Sequence, residues 1–140
     1  MDNKDIELSP GAKATVEHLE FLGFEVESAK GPDGKVTSYC RHMQRPNLIV
    51  HDVGMGLQIL SYFDTKSSGF GFQSALNEYV LDLNLRFLAC SACLNKEKSL
   101  ILQMFYPLPY SKQSFSNLMS GFEIDFKILL DNPKTKEFIP

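Results

Sequence analysis

The stretch from Phe72 to Phe87, FQSALNEYVLDLNLRF, constrains this chain more than any other. Phe72, Leu76, Val80, Leu83 and Phe87 recur at steps of four, four, three and four residues, the spacing of one buried helix face. A second apolar line, Leu81 and Leu85 beside Tyr79, allows burial on more than one side. Four apolar, strand-like runs precede the stretch, and two more runs plus a further helical pattern follow it. The expected role of this helix is to pack against a single sheet.

The other elements follow from local chemistry. Ser9-Pro10 is a helix start, because Ser caps free N–H groups and Pro suits the first helical position. Ala12, Val16, Leu19 and Leu22 then form an apolar stripe that Gly23 stops, which predicts a helix over 10–22. Phe24, Val26 and Ser28 alternate with Glu25 and Glu27 as a half-buried strand does. The turn residues Gly31 to Gly34 (GPDG) predict a hairpin into a second strand over 36–43. Residues 48–53 and 57–64 read as two further strands about Gly54-Met55-Gly56, and 65–71 (TKSSGFG) as a connector. After the central helix, 86–94 and 99–106 read as a hairpin across Asn95–Lys98, ended by Pro107 and Pro109. Ser111 or Ser114 caps a last helix whose stripe runs from Phe115 through Leu118, Met119, Phe122, Phe126, Leu129 and Leu130. Gly121 within it marks a close approach to another element.

The order is helix, four strands, helix, two strands, helix. Strands bunched before helices imply an α+β fold with an antiparallel sheet and helices mainly on one face. At 140 residues one domain over 9–132 is expected, with tails at 1–8 and 133–140. The tail at 133–140 is expected to be exposed, with Phe138 and Ile139 able to dock locally.

In this order the chain resembles YbjN-type domains, of the superfamily that shares its fold with type III secretion chaperones. The residues that carry the resemblance are the first helix closing on GFEVE (23–27), the GPDGK hairpin, the ALNEYVLDLN helix (75–84) running into a strand pair, and the FSNLMSGFEIDF stripe (115–126). The resemblance covers about residues 9–131. It implies a small, cytoplasmic, often dimeric protein that binds other polypeptides, and it transfers no catalytic residue.

Charge and motifs narrow the function classes. A net charge of −3, with Lys and Arg scattered, lacks the basic face of a nucleic-acid binder. No apolar run is long enough to span a membrane, and MDNKDIEL has no signal-peptide core, so the expected address is the cytoplasm. Three cysteines, Cys40, Cys90 and Cys93, are expected as reduced thiols. Cys90-Ser91-Ala92-Cys93 falls in a strand pattern that sends its thiols to opposite faces, unlike a redox CxxC. The alternative use is a four-ligand metal or small-ligand site drawing on Cys40, His42, Cys90 and Cys93, with His51 as a further candidate. His51-Asp52 is the candidate pair for an enzyme, and His18, between Glu17 and Glu20, is expected to be solvated. The glycine motifs are too short for a phosphate loop, and no cofactor is expected.

The 11 Phe and 5 Tyr exceed what one thin sheet needs inside, which points to an exposed apolar surface for a protein partner or a second subunit. The candidate partner-binding residues are Tyr62, Phe70, Tyr79, Leu81, Phe105 and Tyr110. The leading expectation is a non-enzymatic, protein-binding and self-associating domain.

Overall fold

A computed structural model of the chain describes residues 6–66 and 72–140. Its elements are α1 (Pro10–Phe21), β1 (Glu25–Lys30), β2 (Val36–Arg41), β3 (Leu48–Asp52), β4 (Gly56–Phe63), α2 (Phe72–Arg86), β5 (Ser91–Leu94), β6 (Leu100–Pro107), α3 (Lys112–Asp131) and α4 (Thr135–Phe138). The strands form a six-stranded antiparallel sheet in the order β1-β2-β3-β4-β6-β5. This is the α+β order expected, with one short helix added at the C-terminal end. The chain gathers into two compact units, Met1–Ser61 with Phe105–Ser116 and Tyr62–Met104 with Asn117–Pro140.

The first unit starts as its sequence requires. The Ser9 hydroxyl accepts from the Ala12 N–H at 3.3 Å, and Pro10 opens α1. Leu19 and Val16 are buried, and Gly23 takes φ +100°, the left-handed stop. β1 to β4 form a meander in which Val26 faces Cys40, Ser38 faces Val50, and Val50 faces Ile59. Because side chains alternate along a strand, these residues share one face, and Cys40, Leu48, Val50, Leu57 and Ile59 are buried on it. The polar pair inside this face is satisfied, with the Ser28 and Ser38 hydroxyls 2.8 Å apart.

In the second unit α2 buries Leu76, Tyr79 and Leu83. The expected stripe included Val80, which is only partly buried. Tyr79 takes that place because its hydroxyl meets that of Thr135 at 2.7 Å, while its ring stacks on Phe138 at 4.9 Å. Residues 135–138, expected as part of an exposed tail, therefore fold as α4 and bury Phe138, the local docking allowed for that side chain.

The strand expected from residue 86 starts only at Ser91. Asp125 of α3, fully buried, is the cause. Its carboxylate accepts three successive backbone N–H groups, from Leu88 at 2.7 Å and from Ala89 and Cys90 at 2.8 Å each. Those donors are thereby withdrawn from any strand ladder. A Cβ on Gly121, one turn earlier in α3, would lie 2.9 Å from the Ala89 Cβ. The close approach expected at that glycine is real, and it is an approach to this same corner.

Candidate protein-binding surfaces

Opposite the buried face of β1–β4 lies a second face that the described residues leave partly open. The registers align Glu27, Tyr39, Ile49 and Leu60 side by side across the four strands. Tyr39 is 47 % exposed, Ile49 intermediate and Leu60 buried. At one end of β4, Gly56 offers bare backbone to the Phe105 ring. A Cβ there would strike that ring and come within 2.7 Å of the Tyr106 carbonyl oxygen. Phe105 covers the glycine with one side and keeps 49 % of its surface exposed. Thr37 and His51 hydrogen-bond at 2.9 Å on this face, and Glu25 stands opposite Arg41 at its margin. On this face Tyr39 and Phe105 are each half-exposed, and the polar row Thr37, His51 and Gln58 lies between the Tyr39–Ile49–Leu60 row and the Gly56 end where Phe105 sits.

The first unit also carries a shallow groove of about 530 Å³ against α1, lined by Pro10, Gly11, Met55, Leu108 and Tyr110. A smaller pocket, about 280 Å³, adjoins it at Ala14 and Tyr110 and holds His18. His18, expected to be solvated, is a packed residue. Its Nδ1 lies 2.7 Å from the Tyr110 hydroxyl, and its ring meets Phe115 edge-on at 4.9 Å. Burial, and then the charge of Lys112, hold its pKa below the ordinary histidine value. Tyr110 thus spends its hydroxyl within its own unit.

The remaining candidates separate. Tyr62 is half-exposed and Leu81 is 61 % exposed. Phe70 lies outside the described residues. Tyr79 has to be removed as a partner-binding residue, because at 1 % exposure it is a core residue bonded to Thr135. Beside Leu81 on α2, Leu85 is 78 % exposed and Leu88, just past the helix, 72 %. Leu88 was not singled out in the sequence, where it reads as strand. Asp125 went unnoticed for a different reason, as one carboxylate in an exposed-looking EID run.

Of the residues of the four-ligand alternative, Cys40 and His42 belong to the first unit and Cys90 and Cys93 to the second. Among the described residues no three His, Cys, Asp or Glu side chains gather where a metal ion could sit. His42 lies just past β2, with Nε2 3.2 Å from the Leu22 carbonyl oxygen and Nδ1 accepting from the Gln44 N–H at 2.9 Å. Both ring nitrogens are therefore occupied. Burial, helped by Glu20, pushes the Cys40 thiol up to about 12. Burial and then Asp125 push the Cys90 thiol up as well. Both are protonated at neutral pH, which is the wrong state for a nucleophile. His51 and Asp52 are no pair either: His51 bonds Thr37 on the open face, while Asp52 accepts from the Ser9 hydroxyl at 2.8 Å and the Gly54 N–H at 2.9 Å. Adjacent strand residues point to opposite faces, so neither can serve the other.

No helix among the described residues is long and apolar enough to cross a membrane. Comparison of the chain with protein-family models, with curated proteins and with solved structures finds no match.

Proposed function

We propose that this chain is a non-enzymatic, protein-binding domain, and that the open face of β2–β4 with Phe105 is where a polypeptide docks. The observation that carries this is that two aromatics, Tyr39 beside Ile49 and Phe105 over Gly56, stand half-exposed on the same sheet face. Rigid aromatics standing on a sheet give large contact area at small cost in side-chain entropy, which is how interface centres are built. Glu27 aligned with Tyr39, and Glu25 opposite Arg41, make the margin polar, as a rim requires. The titratable groups support binding over catalysis, because the structure engages His18, His42, His51 and Asp52 in packing and internal hydrogen bonds. The resemblance of the element order to that of YbjN-type domains supports the same class.

A photo-crosslinking phenylalanine analogue at Tyr39, irradiated in the host cell, tests the proposal against the same analogue at the exposed turn residue Lys35. A discrete polypeptide adduct specific to position 39, and lost with Phe105→Glu, is expected. Equal labelling from both positions would refute it.

A further inference from the structure

β5 ends the sheet order, with β6 on one side and no described strand on the other. The outward peptide groups of such a strand are a template for any further strand. Which groups of β5 face outward follows from the turn that joins it to β6. The Asn95 N–H bonds the Ser99 carbonyl oxygen at 3.2 Å, and bonded and non-bonded pairs alternate along an antiparallel ladder. Leu94 opposite Leu100 and Ala92 opposite Leu102 are therefore non-bonded pairs, and the N–H and C=O of Ala92 turn outward.

Both outward groups of Ala92 are taken by one side chain. Asn84, in the last turn of α2, accepts the Ala92 N–H on its Oδ1 at 2.6 Å and donates from its Nδ2 to the Ala92 carbonyl oxygen at 2.9 Å. These are the two bonds that one residue of a paired antiparallel strand would make. Two residues earlier in the chain, the Cys90 N–H is held by the buried Asp125 carboxylate at 2.8 Å.

We propose that Asn84 guards the edge of the sheet: its amide stands in for a neighbouring strand and excludes an extended polypeptide from pairing with β5. Stability alone gives little reason for the arrangement. Asn84 is exposed, so water can satisfy the Ala92 peptide in its place, and the exchange of one hydrogen bond for another is nearly balanced. Water does not exclude a strand, whereas an ordered amide does. Apart from its shortness, the Ser91–Leu94 strand carries neither the charge nor the proline that blunts exposed edges, so the deterrent has to come from outside it. This inference is independent of the proposed docking on the β2–β4 face, because Asn84 and Ala92 belong to the second unit and Tyr39 and Phe105 to the first.

Sedimentation velocity of the full chain from about 1 μM to about 500 μM, with Asn84→Ala against the wild type, tests the proposal. In a pure sample the strand available to an opened edge is that of another copy, so Asn84→Ala is expected to associate at concentrations where the wild type does not. Its Ala92 N–H is expected to exchange about tenfold faster than in the wild type when dilute, and to regain protection as the protein is concentrated. Asn84→Asp still accepts the Ala92 N–H and sets a charge over the edge, so it is expected to sediment as the wild type. Gly56→Ala, strained in the first unit, controls for association through general loosening and is also expected to sediment as the wild type. Far-UV circular dichroism checks folding, and Asn84→Ser, too short to make both bonds, replaces the alanine variant if that one unfolds. An Asn84→Ala or Asn84→Ser chain that is folded and sediments as the wild type would overturn the proposal. So would association of Gly56→Ala to the same extent, or association that leaves the Ala92 N–H unprotected.

Discussion

Replacing Asp125 by Ala removes a buried carboxylate that three backbone donors share. Hydrogen bonds to a charged group contribute about 1.5–3 kcal/mol each, and a buried donor left unpaired costs about 1–3 kcal/mol. The three donors differ in what happens next. Leu88 is exposed and Ala89 intermediate, so water recovers part of their loss, whereas the Cys90 N–H is buried and stays without a partner. The expected cost of Asp125→Ala is about 3–5 kcal/mol, a large share of the roughly 5–15 kcal/mol by which a domain is stable. Asp125→Asn keeps one oxygen for Ala89 and Cys90, which share Oδ2, and turns an NH₂ toward the Leu88 N–H. One bond is lost and two lose their charge, so about 1.5–3 kcal/mol is expected. Urea unfolding followed by circular dichroism ranks the two variants, and amide exchange at 88–90 locates the change. A cost for Asp125→Ala below about 1 kcal/mol, or exchange at 88–90 no faster than in the wild type, would refute the account.

Other outcomes follow from the same packing. His18 has a folded pKa below its unfolded value near 6.5, so the unfolded chain takes up its proton first as pH falls. Stability is therefore expected to drop as pH falls below about 6.5 until the folded pKa is reached, and His18→Gln should flatten that slope in urea titrations at successive pH values. Thiol labelling at pH 8 should modify Cys93 first, with Cys40 and Cys90 reacting only in denaturant; equal rates for Cys40 and Cys93 would contradict its burial and raised pKa. Gly56→Ala must displace both the Phe105 ring and the Tyr106 backbone, and about 1–3 kcal/mol of destabilisation is expected from denaturation curves.

Most of the architecture was legible because periodicity reports burial. Ser9-Pro10, Gly23 and the alternation of Val26 with Glu25 and Glu27 act locally, and the structure places them as read. The errors arise where a distant group decides. Leu88, Ala89 and Cys90 have strand-like side chains, but their N–H groups answer to Asp125, about 35 residues away. Tyr79 outcompetes Val80 because Thr135 offers its hydroxyl a partner, which spacing within α2 does not register. The candidate surfaces were half legible. Phe105 and Leu81 stood out as surplus apolar residues, while Tyr39 stayed hidden until the register aligned it with Ile49. His42 looked like a ligand only because its neighbours Leu22 and Gln44 had not yet claimed its nitrogens.

The docking of α4 bears on the order in which the second unit closes during synthesis. Tyr79 waits for Phe138 and Thr135, and Lys66, ahead of α2, waits for the Phe138 and Lys136 carbonyls that its N–H and Nζ reach at 2.7 and 2.6 Å. While residues 135–138 remain inside the ribosome, α2 has a finished helix and an unfinished core face. A chain cut before Thr135 keeps that face open permanently. Four late residues thus act as the latch of this unit, and trimming them as a dispensable tail would leave an aromatic side chain and its hydroxyl exposed together.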